Sequence, residues 1–499
     1  MNTNDTVRLD ASALTTLAQR IPVPTYDRSQ LSVGIVHFGV GGFHRAHQAM
    51  YLDRLMNAGE ALDWAICGIG VTPADRLMQR ALREQDYLFT LVEKRSDGVF
   101  EPRVIGSIVD YLYAPDDPEA AIARLADEST RIVSLTVTEG GYSINDLTGE
   151  FDARLNDVSR DLEPGATPQT FFGLITDALA RRRDRGIAPF TIMSCDNLQG
   201  NGRLARRAFT AFARVRDREL GDWIEQNVRF PNSMVDRITP ATTDVDRENL
   251  RTEFGIDDRQ PVVCEPFAQW VLEDSFVEGR PPYEDIGVQL VEHVEPYELM
   301  KLRLLNASHQ GLCYFAHLLG YVFVHDAAQD SLLSDFVRDY MDHEATPTLD
   351  PVPGVDLEQY KTTLIERFRN PGVGDTIARL CAETSDRIPK FLLPVVREQL
   401  ENGGEIWRSA AIVASWARYA EGVDEHGELI EVVDRRRDEL MELAARQGAD
   451  PLAFISNREL FGDLVGDQRF VDAYLRALHL LHEVGARATL TALANGARA

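Results

Sequence analysis

Apolar positions follow two textures along this chain. In the first half, short apolar runs of strand length alternate with segments of helical spacing; in the second half helical spacing takes over. Residues 31–38 predict a buried strand, followed by Gly39-Val40-Gly41-Gly42-Phe43 and a helical pattern over 45–56. Further strands are predicted over 64–69, 87–93, 104–108, 132–137 and 190–194, with helices over 118–126, 171–183 and 203–214. Strands alternating with helices predict an α/β Rossmann-type domain at the amino-terminal end. From residue 298 onward the pattern predicts helices over 298–319, 332–341, 357–368, 391–402, 406–420, 429–444, 469–484 and 486–493. The second domain is therefore expected to be mostly α-helical. The expected domains are 1–290 and 291–499, and 499 residues exceed what one core organises.

The order strand, glycine turn, helix is what a dinucleotide phosphate loop requires, because small residues let the backbone approach a pyrophosphate. Phe38, Gly39, Gly41, Gly42 and Phe43 are the candidates here, although His44 stands where a third glycine would complete the usual fingerprint. A tight structural turn is the competing account. Asp75 follows the second strand later than usual and is a candidate for gripping the adenosine ribose, favouring NAD; Arg76 beside it keeps NADP open. The strand over 132–137 runs into Thr138-Glu139-Gly140-Gly141-Tyr142, and the strand over 190–194 into Cys195-Asp196-Asn197. Ligands bind at such carboxyl ends, so Glu139 and Asn197 are candidates, against a solvated acid and an Asx turn. Asp236 and Arg237 lie between Val235 and Ile238, where charges need a partner or a task.

The run Glu298-Leu-Met-Lys-Leu-Arg-Leu-Leu-Asn-Ala-Ser-His309 has no internal Gly or Pro and reads as one helix. On an α-helix Lys301 and His309 project about 80° apart, and Asn306 about 140° from Lys301. A lysine near apolar walls can act as a general base, and an asparagine amide can stabilise a developing oxyanion. Solvated charges and a satisfied core histidine would give the same letters. Arg379 and Arg387 add possible contacts to a polyhydroxyl or anionic ligand.

A formal charge of −27 argues against nucleic acid as partner. No apolar run approaches the roughly 20 residues of a membrane span, and no secretory pattern opens the chain. Five scattered cysteines, none in a CxxC pair, point to a reducing, cytoplasmic setting and against a structural zinc site. His44 and His47 are a pair to weigh for metal, although packing near the glycine turn is the simpler expectation, and no metal is assigned.

Five motifs in order resemble the polyol-specific long-chain dehydrogenase family over nearly the whole chain. They are Phe38-Gly-Val-Gly-Gly-Phe-His-Arg-Ala-His47, Thr138-Glu-Gly-Gly-Tyr142, Ser194-Cys-Asp-Asn-Leu-Gln-Gly-Asn-Gly202, Phe230-Pro-Asn-Ser-Met-Val-Asp-Arg-Ile-Thr-Pro240, and the Lys301, Asn306, His309 arrangement. The resemblance implies metal-independent, NAD-linked oxidation of a secondary alcohol, with D-mannitol and D-fructose as the expected pair, in a cleft between the domains. It implies Lys301 as general base, Asn197 and Asn306 as the oxyanion pair, and His309, Asp236, Arg379 and Arg387 as substrate contacts. Glu298 and Glu139 would serve the proton or water route. Arginine at 387, where lysine occurs in relatives, changes reach and hydrogen-bond geometry. Alternatives are a fructuronate or tagaturonate reductase, an arabinitol or sorbitol dehydrogenase, a sugar-phosphate dehydrogenase, and a non-enzymatic NAD-binding sensor. The family includes monomers, and no stretch demands an interface, so oligomeric state is open.

Overall fold

The computed structural model describes residues 6–144, 150–163 and 165–495, the side chains of Glu139 and Asn156 excepted. The chain divides into two compact units, Met1–Glu295 and Pro296–Ala499.

The first unit is built on five parallel strands: β1 (Val33–Phe38), β2 (Ala65–Gly70), β3 (Ile108–Tyr113), β4 (Ile132–Leu135) and β5 (Thr191–Ser194). Their order in the sheet is β3-β2-β1-β4-β5, the Rossmann arrangement, in which the chain reverses direction across the sheet between β1 and β4. β1, β2, β4 and β5 are buried throughout, as expected of strands covered on both faces. One face packs under helices Pro118–Ala126, Phe171–Arg185 and Asn201–Arg216 through Phe172, Phe209 and Phe212. The other carries helix Gln48–Asn57 and a second cluster around Tyr51, Trp270 and Tyr283. Smaller sheets flank this core; one of them places strand Ser233–Asp236 antiparallel to Gln269–Glu273.

Three expectations are corrected here. The single strand over 104–108 is two strands, Phe100–Ile105 and Ile108–Tyr113, in different sheets, with Gly106 and Ser107 at the crossing. Gly106 donates its N–H to the buried Asp53 carboxylate, while Ser107 donates its hydroxyl to the Ala49 carbonyl and accepts the Ile66 N–H, so the chain passes from one sheet to the other here. The helix over 45–56 begins earlier, as Gly42–Ala46, and restarts as Gln48–Asn57 after a break at His47 (φ −121°, ψ −93°).

The second unit is helical, as expected. Trp407–Tyr419 is buried almost all round and packs on the long carboxyl-terminal helix Gln468–Ala494 and on Ala307–Leu318. Gly485, at φ +79°, kinks that long helix between the two predicted segments. The third correction falls here: the helix over 429–444 begins only at Arg437. Ile430 and Val432 are buried while Leu429 and Val433 are exposed. That is strand periodicity, and Leu429 bridges Val423.

Among the described residues no helix is long and apolar enough to cross a membrane. All five cysteines are free and buried, Cys67, Cys195 and Cys264 in the first unit and Cys313 and Cys381 in the second.

Candidate active site

In the first unit the glycine turn rests on a buried polar cluster. His37 places Nδ1 2.7 Å from Ser134 Oγ and Nε2 3.1 Å from the Gly39 carbonyl oxygen. The Thr136 hydroxyl donates to that same carbonyl at 2.7 Å. Gly39 has φ +92°, and a Cβ there would sit 2.1 Å from the Thr136 carbonyl oxygen, so the position requires glycine. Burial pushes the His37 imidazole down to about 3, so the ring is neutral. It stacks on His44 with centroids 3.4 Å apart and planes at 11°. His44 therefore packs beneath the turn in place of a third glycine. His47 turns the other way, its Nε2 3.1 Å from the Gln269 carbonyl, and the two do not form a metal pair. Among the described residues no three His, Cys, Asp or Glu side chains gather closely enough to hold a metal ion.

A cavity of about 950 Å³ opens at the carboxyl ends of β1, β2 and β4, lined by Phe38, Gly39, Thr72, Asp75, Thr138, Gly140 and Phe171 among others. This is the crevice where dinucleotides bind in such sheets. Of the expected cofactor residues, Phe38, Gly39 and Asp75 line it; Gly41, Gly42, Phe43 and Arg76 do not. Gly41 and Gly42 instead start the short helix, and the Phe43 ring lies on His47 at 4.9 Å. Asp75 also has a local task. Its carboxylate accepts from Val71 N at 2.9 Å, Thr72 N at 2.8 Å and Thr72 Oγ1 at 2.9 Å, closing a capping box on helix Pro73–Arg83. The Arg76 guanidinium pairs with Asp116 and lies over the Tyr113 ring at 4.6 Å.

The loops after β4 and β5 are stitched by Asp196, which the sequence reading passed over in favour of its neighbour Asn197. The buried Asp196 carboxylate accepts from Thr138 N at 2.8 Å and from the Tyr142 hydroxyl at 2.7 Å. Burial pushes its pKa up, while those donors pull it back. Thr138 is held at φ +65°, a conformation that non-glycine residues rarely adopt, beside the cavity. Asn197 follows directly and is exposed. The buried Asn201 side chain fixes this loop, donating to the Asp196 and Ser233 carbonyls at 2.9 and 2.7 Å. An Asp at the end of a buried strand was the available signal. The expected Glu139 side chain lies outside the described residues. Asp236 is buried at the end of strand Ser233–Asp236. Its neighbour Arg237 pairs with Glu93 at 2.6 Å and also donates to the Glu265 and Ala46 carbonyls.

In the second unit the run from Glu298 is not one α-helix, which corrects the sequence expectation. Glu295–Met300 is α-helical, Lys301–Asn306 is a π-helix, and Ala307–Leu318 returns to α. A π turn closes i→i+5 hydrogen bonds, so more residues fit each turn and every side chain downstream is rotated relative to an unbroken helix. The 80° and 140° projections therefore do not apply. Glu298, Lys301 and Asn306 are all buried. Asn306 Nδ2 and His309 Nε2 are buried without a hydrogen-bond partner, an arrangement that costs stability unless a ligand supplies the acceptor or donor. The His309 ring packs on Phe368 at 4.7 Å. Burial, then the positive charge of Arg379, pushes its pKa down to about 3; Arg367 and Arg387 act in the same direction and Asp375 opposes them. Arg379 is chelated by the Asp375 carboxylate, with Nε at 2.5 Å from Oδ1. Arg387 Nη1 donates to the Leu380 carbonyl at 3.1 Å. The structure thus gathers His309, Arg379 and Arg387 into one electrostatic neighbourhood.

A sheet of this order, a glycine turn and a cavity at the point where strand order reverses define a Rossmann-type dinucleotide-binding protein with a helical second unit. The chain belongs to the mannitol dehydrogenase family. The mannitol dehydrogenase Rossmann domain matches residues 33–285 and the mannitol dehydrogenase C-terminal domain residues 293–482. A mannitol 2-dehydrogenase of Aspergillus fumigatus is 46% identical over 477 residues, 94% of this chain and 95% of that protein. The structure of Pseudomonas fluorescens mannitol 2-dehydrogenase in ternary complex with NAD and D-mannitol is similar, with a TM-score of 0.89 and 47% identity, covering 98% of this chain and 100% of that one. A D-sorbitol dehydrogenase in substrate-free form has a TM-score of 0.90 at 38% identity, with 97% and 100% covered.

Proposed function

We propose that this chain is an NAD-linked polyol dehydrogenase interconverting D-mannitol and D-fructose. The observation that carries the chemistry is the pair of buried, unpartnered polar atoms, Asn306 Nδ2 and His309 Nε2, on the helix that also buries Lys301. Kinship with a mannitol 2-dehydrogenase solved in ternary complex with NAD and D-mannitol supports this substrate and cofactor.

The cavity beside Gly39 fits a dinucleotide: its volume lies at the upper end of ligand pockets, and the glycine removes the Cβ that would fill the turn. Phe38, Gly39 and Asp75 would hold the cofactor there, Asp75 at the ribose. When bound, NAD supplies the hydride acceptor for the alcohol carbon. Lys301, acting as the neutral amine, takes the proton from the C2 hydroxyl. Asn306 and Asn197 are the amides assigned to that oxygen, donating N–H groups as negative charge develops. His309, Asp236, Arg379 and Arg387 are the contacts assigned to the remaining hydroxyls. Glu298, one turn before Lys301, and Glu139 serve the exchange of the proton with solvent. In reduction, the lysine ammonium returns the proton to the ketose carbonyl. The buried, free cysteines support a reducing cytoplasmic setting.

The test follows reduced-nicotinamide absorbance with D-mannitol, D-arabinitol and D-sorbitol, and in reverse with D-fructose and D-fructuronate. Lys301→Ala should lose turnover while leaving NAD affinity nearly unchanged; normal turnover in that variant would sink the lysine-base assignment. The arginines bearing on His309 favour one second reading, a hexuronate whose carboxylate they would receive. Activity with fructuronate but not fructose would select it.

A further inference from the structure

The π-helical stretch carrying Lys301 and Asn306 is held from outside by side chains to which none of the roles above is assigned. Tyr340 ends helix Ser331–Tyr340, is fully buried, and donates its hydroxyl to the Arg303 carbonyl oxygen, in the middle of the π stretch, at 3.2 Å. The Arg303 side chain donates through Nη1 to the Thr348 carbonyl and, at 2.8 Å, to Glu398 Oε2. Tyr340 leads directly into a second π-helix, Met341–Ala345, and Thr348 lies just beyond it. That second element is itself pinned. The buried Glu344 carboxylate accepts the Arg408 and Ser409 N–H groups at 2.7 Å each and the Ser409 hydroxyl at 2.5 Å. Two wide turns are thus tied to one another by a phenol and a guanidinium.

A π turn is rare by itself and persists where surrounding contacts hold it. If 301–306 contracted to α geometry, the residues after it would rotate about the helix axis, and Asn306 would no longer face where Lys301 faces. We propose that Tyr340, acting with Arg303, is a positioning residue that keeps the π turn open so that the base and its oxyanion partner address the same substrate oxygen. This rests on the reading of Lys301 as the base.

The test is Tyr340→Phe in the full-length protein, which keeps the ring and its packing and removes only the hydroxyl. A displacement of about 1 Å at the reacting groups is expected to lower kcat for polyol oxidation on the order of 100-fold. The polyol KM should move less, and the acid limb of the kcat–pH profile should shift. NAD affinity, set in the other unit, should not change. The crystal structure of the variant should show i→i+4 bonds within 301–306. Glu398→Gln, at the half-exposed end of the same chain of contacts, should move kcat and the limb in the same direction by less, and covers the case in which the tyrosine variant does not fold. Wild-type kcat with an unmoved limb overturns the proposal. So does a fall in kcat that active-site titration accounts for as inactive protein, since that is a merely structural effect. Wild-type protein that turns over no polyol would refute the reading of Lys301 instead, while the variant's crystal structure would still decide whether Tyr340 holds the turn.

Discussion

Asp75 has one observed task and one proposed task, and replacing it separates them. Its carboxylate closes the capping box of helix Pro73–Arg83 through three hydrogen bonds of 2.8–2.9 Å, and it lines the cavity assigned to the dinucleotide. A 2′-phosphate about 4 Å from that charge would be opposed by about 1 kcal/mol in bulk water and about 4 kcal/mol in a protein-surface environment for each unit of charge. Those limits correspond to a discrimination against NADP of about 5-fold to several hundred-fold. The cation next to it in sequence, Arg76, is already paired with Asp116 and would offset little. Asp75→Asn removes the charge but keeps an oxygen to accept from Val71 and Thr72. It should raise the NADP-to-NAD ratio of kcat/KM within that range while leaving thermal stability nearly unchanged. Asp75→Ala should raise the ratio similarly and also cost about 1 kcal/mol of stability through the lost cap. The assay is initial-rate polyol oxidation over matched ranges of both cofactors, with calorimetry on each variant. An unchanged ratio in both variants would remove Asp75 from the ribose and leave it only as a cap.

Three further outcomes are expected. Gly39→Ala places a Cβ against the Thr136 carbonyl and should weaken NAD binding at least 10-fold; unchanged affinity by titration would contradict the assigned turn. The His309 pKa is depressed to about 3 in the folded chain against about 6.5 unfolded, so its contribution to stability is full above pH 6.5 and is lost as pH falls toward 3. At pH 5 the loss is about 2 kcal/mol, so the difference between urea stabilities at pH 8 and pH 5 should shrink by that order in His309→Gln; identical pH dependence would refute it. Dialysis against a chelator should leave turnover intact, and activity restored only by added divalent metal would overturn the metal-independent chemistry.

The sheet was legible because its strands are short buried runs, and β1 with its glycine turn is the clearest case. The break at Gly106 and Ser107 was hidden because the residues beside it, Val104, Ile105, Ile108 and Val109, are apolar and β-branched, while the Asp53 carboxylate and Ala49 carbonyl that take up the polar groups at the break are remote in sequence. The stretch from Leu429 was read as helix from its apolar content, when its alternation of exposed and buried side chains is that of an extended chain. Lys301, Asn306 and His309 could be named as site candidates from chemistry alone. Their angular relation could not, because Lys-Leu-Arg-Leu-Leu-Asn suits an α or a π turn equally and the decision lies with Tyr340 and Thr348, remote in sequence. Asp196 was overlooked for the same reason: its worth lies in the Thr138 and Tyr142 donors it collects.

The burial of every cysteine has a practical consequence. Three thiols sit in one unit and two in the other, all shielded from solvent. A thiol reagent can react only as fast as each unit opens, so the modification kinetics of Cys67, Cys195 and Cys264 against Cys313 and Cys381 amount to two clocks within one chain. Read by mass spectrometry with and without NAD, they would report which half the cofactor quiets, with no label introduced and no residue changed.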